Sequence, residues 1–271
     1  VGLTLRGLLI EGSRTNLFLN SLIDGTSLAT QSVTVTAAAH TLSFYGTGTV
    51  DLTGAFVQTV VGSGAYPTRT TLTFTPTAGT LTATVTGTVQ FANLELGAFA
   101  SSFMPTTAST FTRTSDAATV SSVSWYNLTE GTLSAEALIN AVAAPANLQY
   151  LAAISDGTAT NRIVIARNLS AATMLGRVNA TATAVPATAV NGIVAKAALA
   201  YASGASNIPM AVNGTLGTPV GTAASLPASV TKLNLGIDET TGTTSQLFGW
   251  LRTVNYYNTR LPNTTLQSIT L

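Results

Sequence analysis

Side chains able to run acid–base chemistry are scarce in this chain. His40 is its one histidine, so a hydrolase of the Ser-His-Asp type has no other imidazole to use as base. It stands in Ala37-Ala38-Ala39-His40-Thr41-Leu42 beside a predicted strand, which fits a turn or a partly buried structural histidine. Glycoside cleavage needs two carboxylates about 5–10 Å apart, and 10 Asp and Glu in all leave few pairs. Asp238-Glu239 is the one adjacent pair. Neighbours on a strand point to opposite faces, and Gly236 to Gly242 reads better as a loop, solvated or holding a cation. No glycine-rich phosphate loop precedes a helix, and no His/Cys/Asp cluster has metal spacing.

Residues that could bind are more numerous. Arg14, between Glu11 and Asn16, could offer its planar fork to a ligand. It could equally form a structural pair with Glu11 or Glu95 that fastens the first strand to the last. A sugar packs the C–H face of its ring on an exposed aromatic while amides and hydroxyls take its OH groups. Trp125, Tyr126, Tyr150, Tyr257 and Tyr66 are the candidates, for ligand or subunit contact or for rim packing. Phe248, Trp250 and Tyr256 share a parity expected to face the core, with Tyr257 pointing the other way. Asn161, Asn179 and Asn213, in turns, could hydrogen-bond neutral sugars or face solvent.

The elements that must position these groups are strands. Charged residues make up 8% of the chain, about a third of the usual fraction. Thr, Ser, Asn and Gly fill their places, as in Thr80-Leu81-Thr82-Ala83-Thr84-Val85-Thr86. Val33 to Thr36, Thr70 to Thr75, Leu81 to Val85 and Arg162 to Ala166 alternate or run as β-branched segments. Turn clusters separate them: Gly46-Thr47-Gly48, Gly62-Ser63-Gly64, Pro76 to Gly79, Asp156-Gly157 and Asn213-Gly214. Ala189 to Ala202 reads as one more strand, and a helical turn capped by Asn263 is expected around Pro262 to Gln267. The expected fold is all-β, two tandem antiparallel β-sandwiches of jelly-roll type. The Thr/Ser-rich stretch from Met104 to Asp116 separates them, giving domains 1–112 and 113–271.

Composition also excludes partners. The net charge is +1, from 11 basic and 10 acidic side chains scattered singly, which gives no footprint for nucleic acid. No apolar run approaches the ~20 residues that cross a bilayer. Cysteine is absent, so disulfides and thiolate metal sites are excluded. The opening Val1 to Arg6 lacks the pattern of a signal peptide, and the expectation is that the numbering starts inside a longer or processed chain. Sparse charge removes the usual guard on sheet edges, so edges are expected to be covered by neighbouring domains or subunits, as in a homo-oligomer.

Gly7-Leu8-Leu9-Ile10-Glu11-Gly12-Ser13-Arg14-Thr15-Asn16-Leu17, followed by Ser21, resembles the opening of carbohydrate-binding-module-like domains in bacteriophage fibre and spike proteins. Leu94-Glu95-Leu96-Gly97-Ala98-Phe99-Ala100-Ser101-Ser102-Phe103-Met104-Pro105-Thr106 resembles the strand that closes such domains, and Thr112-Arg113-Thr114-Ser115-Asp116 the linker after it. The second half is similar to concanavalin A-like, or laminin-G-like, sandwiches of phage structural proteins. Gly131 to Glu136 resembles their opening strand, and Gly249 to Pro262, with Leu266 to Thr270, their closing one.

The resemblance implies a fibre or spike component on the virion surface that binds host cell-surface polysaccharide without cleaving it, among other virion proteins. The alternative is a purely structural decoration or connector. A depolymerase is disfavoured by the shortage of carboxylates. Sandwiches of both resembled classes often hold Ca2+, for which Asp51, Asp156 and Asp238 are the nominal donors.

Overall fold

The structure is a computed structural model that describes residues 6–22, 27–140, 148–168, 173–179, 182–184, 192, 194–218, 225–238, 240 and 245–271. Strand β1 spans Leu8–Ile10. Then follow β2 (Arg14–Asn16), β3 (Gln31–Val35), β4 (His40–Tyr45), β5 (Thr49–Gly54), β6 (Gln58–Val61), β7 (Thr70–Phe74), β8 (Gly79–Thr86), β9 (Gln90–Leu96) and β10 (Phe111–Arg113). Further described elements are β11 (Ala118–Val120), β12 (Glu130–Ile139), β13 (Leu148–Ser155), β14 (Arg162–Asn168), β15 (Thr173–Val178), β16 (Ala182–Ala184), β17 (Val194–Ala202), β18 (Met210–Val212), β19 (Thr215–Leu216), β20 (Lys232–Leu235), β21 (Gly249–Tyr257) and the helix α1 (Asn263–Ile269). The fold is all-β and every named strand pairing is antiparallel. Among the described residues no helix is long and apolar enough to cross a membrane.

The chain divides into two compact units, the small one Ser13–Thr114, the large one beginning again at Ser115. The expected boundary at 112–113 lies close to this second crossing. The expected start of the first domain does not hold: residues 6–12 sit with the large unit, because β1 is hydrogen-bonded to β21, Leu9 opposite Trp250. Ile10 is 1% exposed within the large unit's core. The small unit is thus an insertion after the large unit's first strand.

In the small unit the sheets run β3-β8-β5-β6 and β7-β4-β9, with β10-β2 as a short pair. Alternation decides which face is inside: along β8, Leu81 and Ala83 are fully buried and join Leu42, Phe44, Val50 and Leu94, while the intervening threonines face out. Hydroxyl pairs directly across strands stand where other sheets carry charge pairs: Ser32 with Thr82 at 2.8 Å, Thr41 with Thr73 at 3.0 Å and Thr15 with Thr112 at 2.7 Å. Each such pair is worth a few tenths to ~1 kcal/mol.

Among the described residues the large unit has two six-stranded sheets, β1-β21-β12-β17-β18-β19 and β11-β20-β13-β14-β15-β16. Leu133, Leu151, Ile154, Ile163, Ile165, Leu199 and Tyr201 form its core. The stretch around Ala189 to Ala202 is strand from Val194 onward, its first residues lying partly outside those described. Asn213 and Gly214, at φ 46° and 76°, make the two-residue turn between β18 and β19, which needs left-handed backbone at both positions. The C-terminal helix forms, but Pro262 holds its N-cap position with no side-chain cap, and Asn263 is the first helical residue.

One expectation about side-chain direction fails on β21. Leu251 is buried in the core and Val254 and Tyr256 pack against it, whereas Trp250 does not. The ladder to β12 shifts register here: Glu136 lies opposite Thr253 but Ala137 opposite Leu251, leaving Arg252 as an extra residue. Such a bulge reverses the strand's parity. Trp250 therefore faces out, under the Arg6 guanidinium 5.9 Å from its ring centre.

Candidate functional site

The two motif segments of the small unit meet in a buried polar cluster. Arg14 Nε lies 3.5 Å from a carboxylate oxygen of the fully buried Glu95, and its guanidinium covers the Phe99 ring at 5.0 Å. A Cβ on Gly97, at φ 137°, would stand 2.6 Å from the same guanidinium. Glu95 also accepts from the Ser101 amide at 2.9 Å and hydroxyl at 2.6 Å. Burial pushes its carboxyl above the usual value, and the Ser101 hydrogen bonds and Arg14 pull it back. Asn16, also fully buried, donates to the carbonyls of Ala92 and Met104 at 2.9 Å and accepts from the amides of Phe18 and Leu94. Arg14 and Asn16 therefore fasten β2 to β9: of the two alternatives for Arg14, the structure forms the Glu95 pair.

The nominal metal donors are not brought together. Asp156 follows β13 at the end where Ser155 pairs Lys232, and Asp238 lies beyond the opposite end, where Ala152 pairs Leu235. Asp156 Oδ1 accepts from the Thr158 amide and hydroxyl, and Oδ2 from Asn161. What burial it has works against ionisation, yet these hydrogen bonds hold its carboxyl below the ordinary value. Asp238 is buried and accepts from Thr240. Its neighbour Glu239 lies outside the described residues. Asp51 accepts from Thr59 across the small unit's sheet. Among the described residues no three acidic, His or Cys side chains cluster to hold an ion. His40 is 2% exposed with Nδ1 2.8 Å from the Ala38 carbonyl, as a structural histidine would be.

Of the aromatic candidates, Tyr150 is 5% exposed and its hydroxyl accepts from Arg162 at 3.0 Å, so it offers no open face. Tyr257 is half-buried and sits next to the inward-facing Tyr256, hence on the outer face of the sheet. The turn asparagines are engaged locally: Asn161 with Asp156 and the Ala228 amide, Asn179 with the Ser225 carbonyl, Asn213 with the Lys196 amide.

Trp125 and Tyr126 come together. The Tyr126 amide donates to the Val123 carbonyl at 2.9 Å, closing a turn whose first residue is anchored in the large unit's core. Trp125 at its apex stays 37% exposed and rests on Tyr256, ring centres 4.6 Å apart, with Tyr126 on the same ring at 6.1 Å. Tyr256 is pinned by accepting from the Asn127 amide at 2.8 Å, and Tyr126 donates to the Pro227 carbonyl at 3.1 Å. Burial, and then the neighbouring Tyr256, push the Tyr126 phenol far up, so it stays a neutral donor. Asn127 donates to the Asn258 carbonyl at 2.7 Å beside them. The result is one half-exposed indole on a fixed aromatic base, edged by uncharged amides and hydroxyls. The sequence pointed to Trp125 and Tyr126 but assigned Tyr256 to the core alone; its second role depends on the bulge at Arg252.

No protein family matches the chain, and no curated protein matches it. Similar solved structures include the CBM40 module of the Ruminococcus gnavus IT-sialidase bound to α2,6-sialyllactose, with a TM-score of 0.44, 18% identity, and coverage of 53% of this chain and 84% of that one. The leech intramolecular trans-sialidase complexed with 2,7-anhydro-Neu5Ac is similar at a TM-score of 0.44 and 16% identity, over 53% of this chain and 23% of that one. The NanB sialidase from Streptococcus pneumoniae is similar at 0.43 and 14%, over 53% and 24%.

Proposed function

We propose that this protein is a non-catalytic glycan-binding component of a virus particle, a fibre or spike that holds host surface polysaccharide without cutting it. The observation that carries the reading is Trp125, 37% exposed on the fixed Tyr256 ring. An indole face held open at a turn apex suits the C–H face of a pyranose, and the nearby neutral groups suit its hydroxyls. The phage setting, the virion surface and the company of other virion proteins rest on the motifs around Arg14, Glu95 and Trp250. Display in several copies, as a homo-oligomer, would offset the weak affinity of a shallow site. The non-catalytic part rests on the shortage of carboxylates, 10 in the whole chain, and on the single histidine, His40, being buried.

The test is binding of purified host capsule or lipopolysaccharide by the native chain and by Trp125→Ala, with reducing ends assayed in parallel. Binding that Trp125→Ala weakens about tenfold, without new reducing ends, is the expected result. Release of reducing ends refutes the non-catalytic reading. Equal binding to host cells with and without their capsule replaces the glycan receptor with a structural connector.

A further inference from the structure

The small unit carries a second set of aromatic rings that the sequence does not connect. Tyr66, Tyr45, Phe91 and Phe103 come from four separate segments and form one row of successive ring contacts, with ring centres 5.5, 6.3 and 5.4 Å apart in that order. Tyr66 is 76% exposed and the other three are half-buried. None belongs to the small unit's core.

Local backbone devices aim each ring. Tyr45 ends β4 directly after the buried Phe44, so alternation turns it outward. Opposite, β9 carries an extra residue: Ser43 pairs Asn93 but Tyr45 pairs Gln90. Phe91 lies in that bulge with φ 49°, a left-handed conformation that a bulky side chain adopts only when its surroundings impose it. Val89, two residues before it, and Ala92, directly after it, are fully buried, and the bulge puts the Phe91 ring outside. Asn93 clasps the chain on both sides of Phe103, donating to the Ser102 carbonyl and accepting from the Met104 amide, each at 3.1 Å. Tyr66 sits in a turn closed by the Thr68 amide on the Ala65 carbonyl at 2.9 Å.

We infer that this row is a second carbohydrate site, one that takes a neutral oligosaccharide laid along the rings. The inference rests on the glycan-binding reading above. Successive rings at these spacings, turned by 51°, 77° and 80° against one another, offer alternating faces and edges to a twisted chain of pyranoses better than a flat face to a protein. Tyr66 lies between Ser63 and Thr70, whose uncharged hydroxyls are 2.7 Å apart, and Thr70 stands opposite Phe44, the residue before Tyr45. Arg69, three residues after Tyr66, directs its two terminal nitrogens to the Ser101 carbonyl and the Ser43 hydroxyl, each at 2.6 Å, and so presents no free fork to an acidic sugar. Rings fixed in advance lose little conformational freedom when a ligand arrives.

The experiment titrates the full chain with short neutral linear oligosaccharides of glucose, galactose and mannose, and with sialyllactose as an acidic control, by calorimetry. Tyr66→Ala and Phe91→Asn are compared with Trp125→Ala. Asn tolerates the left-handed backbone, so Phe91→Asn removes the ring without asking the bulge to refold. A neutral oligosaccharide is expected to bind, about fivefold to tenfold more weakly in either row variant, with the melting temperature of Phe91→Asn unchanged. Retention of that loss in a Trp125→Ala background supports the row as a separate site. If Trp125→Ala abolishes all binding and the row variants none, the row is no site and the large-unit reading stands. Row variants that change only self-association make it a protein contact and overturn the proposal, and a native chain that binds none of the sugars overturns both readings.

Discussion

The amide of Glu11 donates to the Asp116 carboxylate at 2.9 Å, and the amide of Asp116 donates back to the Glu11 carbonyl at 2.9 Å. Two residues 105 positions apart thus close the large unit at the place where the small unit leaves and rejoins it. Just beyond them Arg14 pairs Arg113 on the small unit's side.

Cleavage of the exposed stretch 107–110 should therefore not release two separable proteins. The N-terminal fragment keeps β1, whose Ile10 is in the large unit's core, so the nicked pieces should co-elute in native size-exclusion chromatography and part only in denaturant. Ile10→Ala should lower the large unit's stability by about 2–4 kcal/mol. Separation of the fragments without denaturant would contradict the β1–β21 pairing.

Asn16→Ala should cost the small unit roughly 3–5 kcal/mol, because it leaves the buried amides of Phe18 and Leu94 and two carbonyls without their partner. Chemical denaturation of the variant, followed through the small unit's tyrosines, measures this directly.

The pH dependence of the small unit follows from Glu95. Its carboxyl is raised by burial against the pull of Ser101 and Arg14, so the folded state holds the proton more tightly than the unfolded chain. Stability from this group is complete below the ordinary glutamate value and declines as pH rises through the raised one. Glu95→Gln should flatten that decline, measured as melting temperature against pH from acid to neutral.

Gly131 underlies the Trp125 site. A Cβ there would lie 2.5 Å from the Tyr201 hydroxyl and 2.8 Å from that of Tyr256, and Tyr201 is fully buried. Gly131→Ala should displace Tyr256 and weaken polysaccharide binding severalfold with Trp125 itself intact. Unchanged binding would separate the indole from its base.

Glycan affinity should vary little between ~50 and ~200 mM salt, since the groups named beside Trp125 are uncharged and Arg69 is engaged by Ser101 and Ser43, whereas a phosphate-reading protein would lose orders of magnitude. A steep salt slope in the same titrations would point to an acidic partner.

What the sequence determined is what short-range periodicity and residue chemistry carry. Thr/Val alternation and the turn clusters specify an all-β chain with a neutral hydroxyl surface; the segment near Thr114 marks a crossing between units; and a structural pair of Arg14 with Glu11 or Glu95 is legible in the motifs, the structure deciding for Glu95. What only the tertiary structure decided depends on pairings between residues far apart. No local pattern tells that β1 pairs with β21 and not within the first domain. Nor does it reveal the bulge at Arg252, which turns Trp250 outward and Tyr256 beneath Trp125, or the one at Phe91, which sets that ring against Tyr45 and Phe103. A bulge adds one residue to one strand's register against its partner, so it exists only in the pair of strands and not in either sequence segment alone.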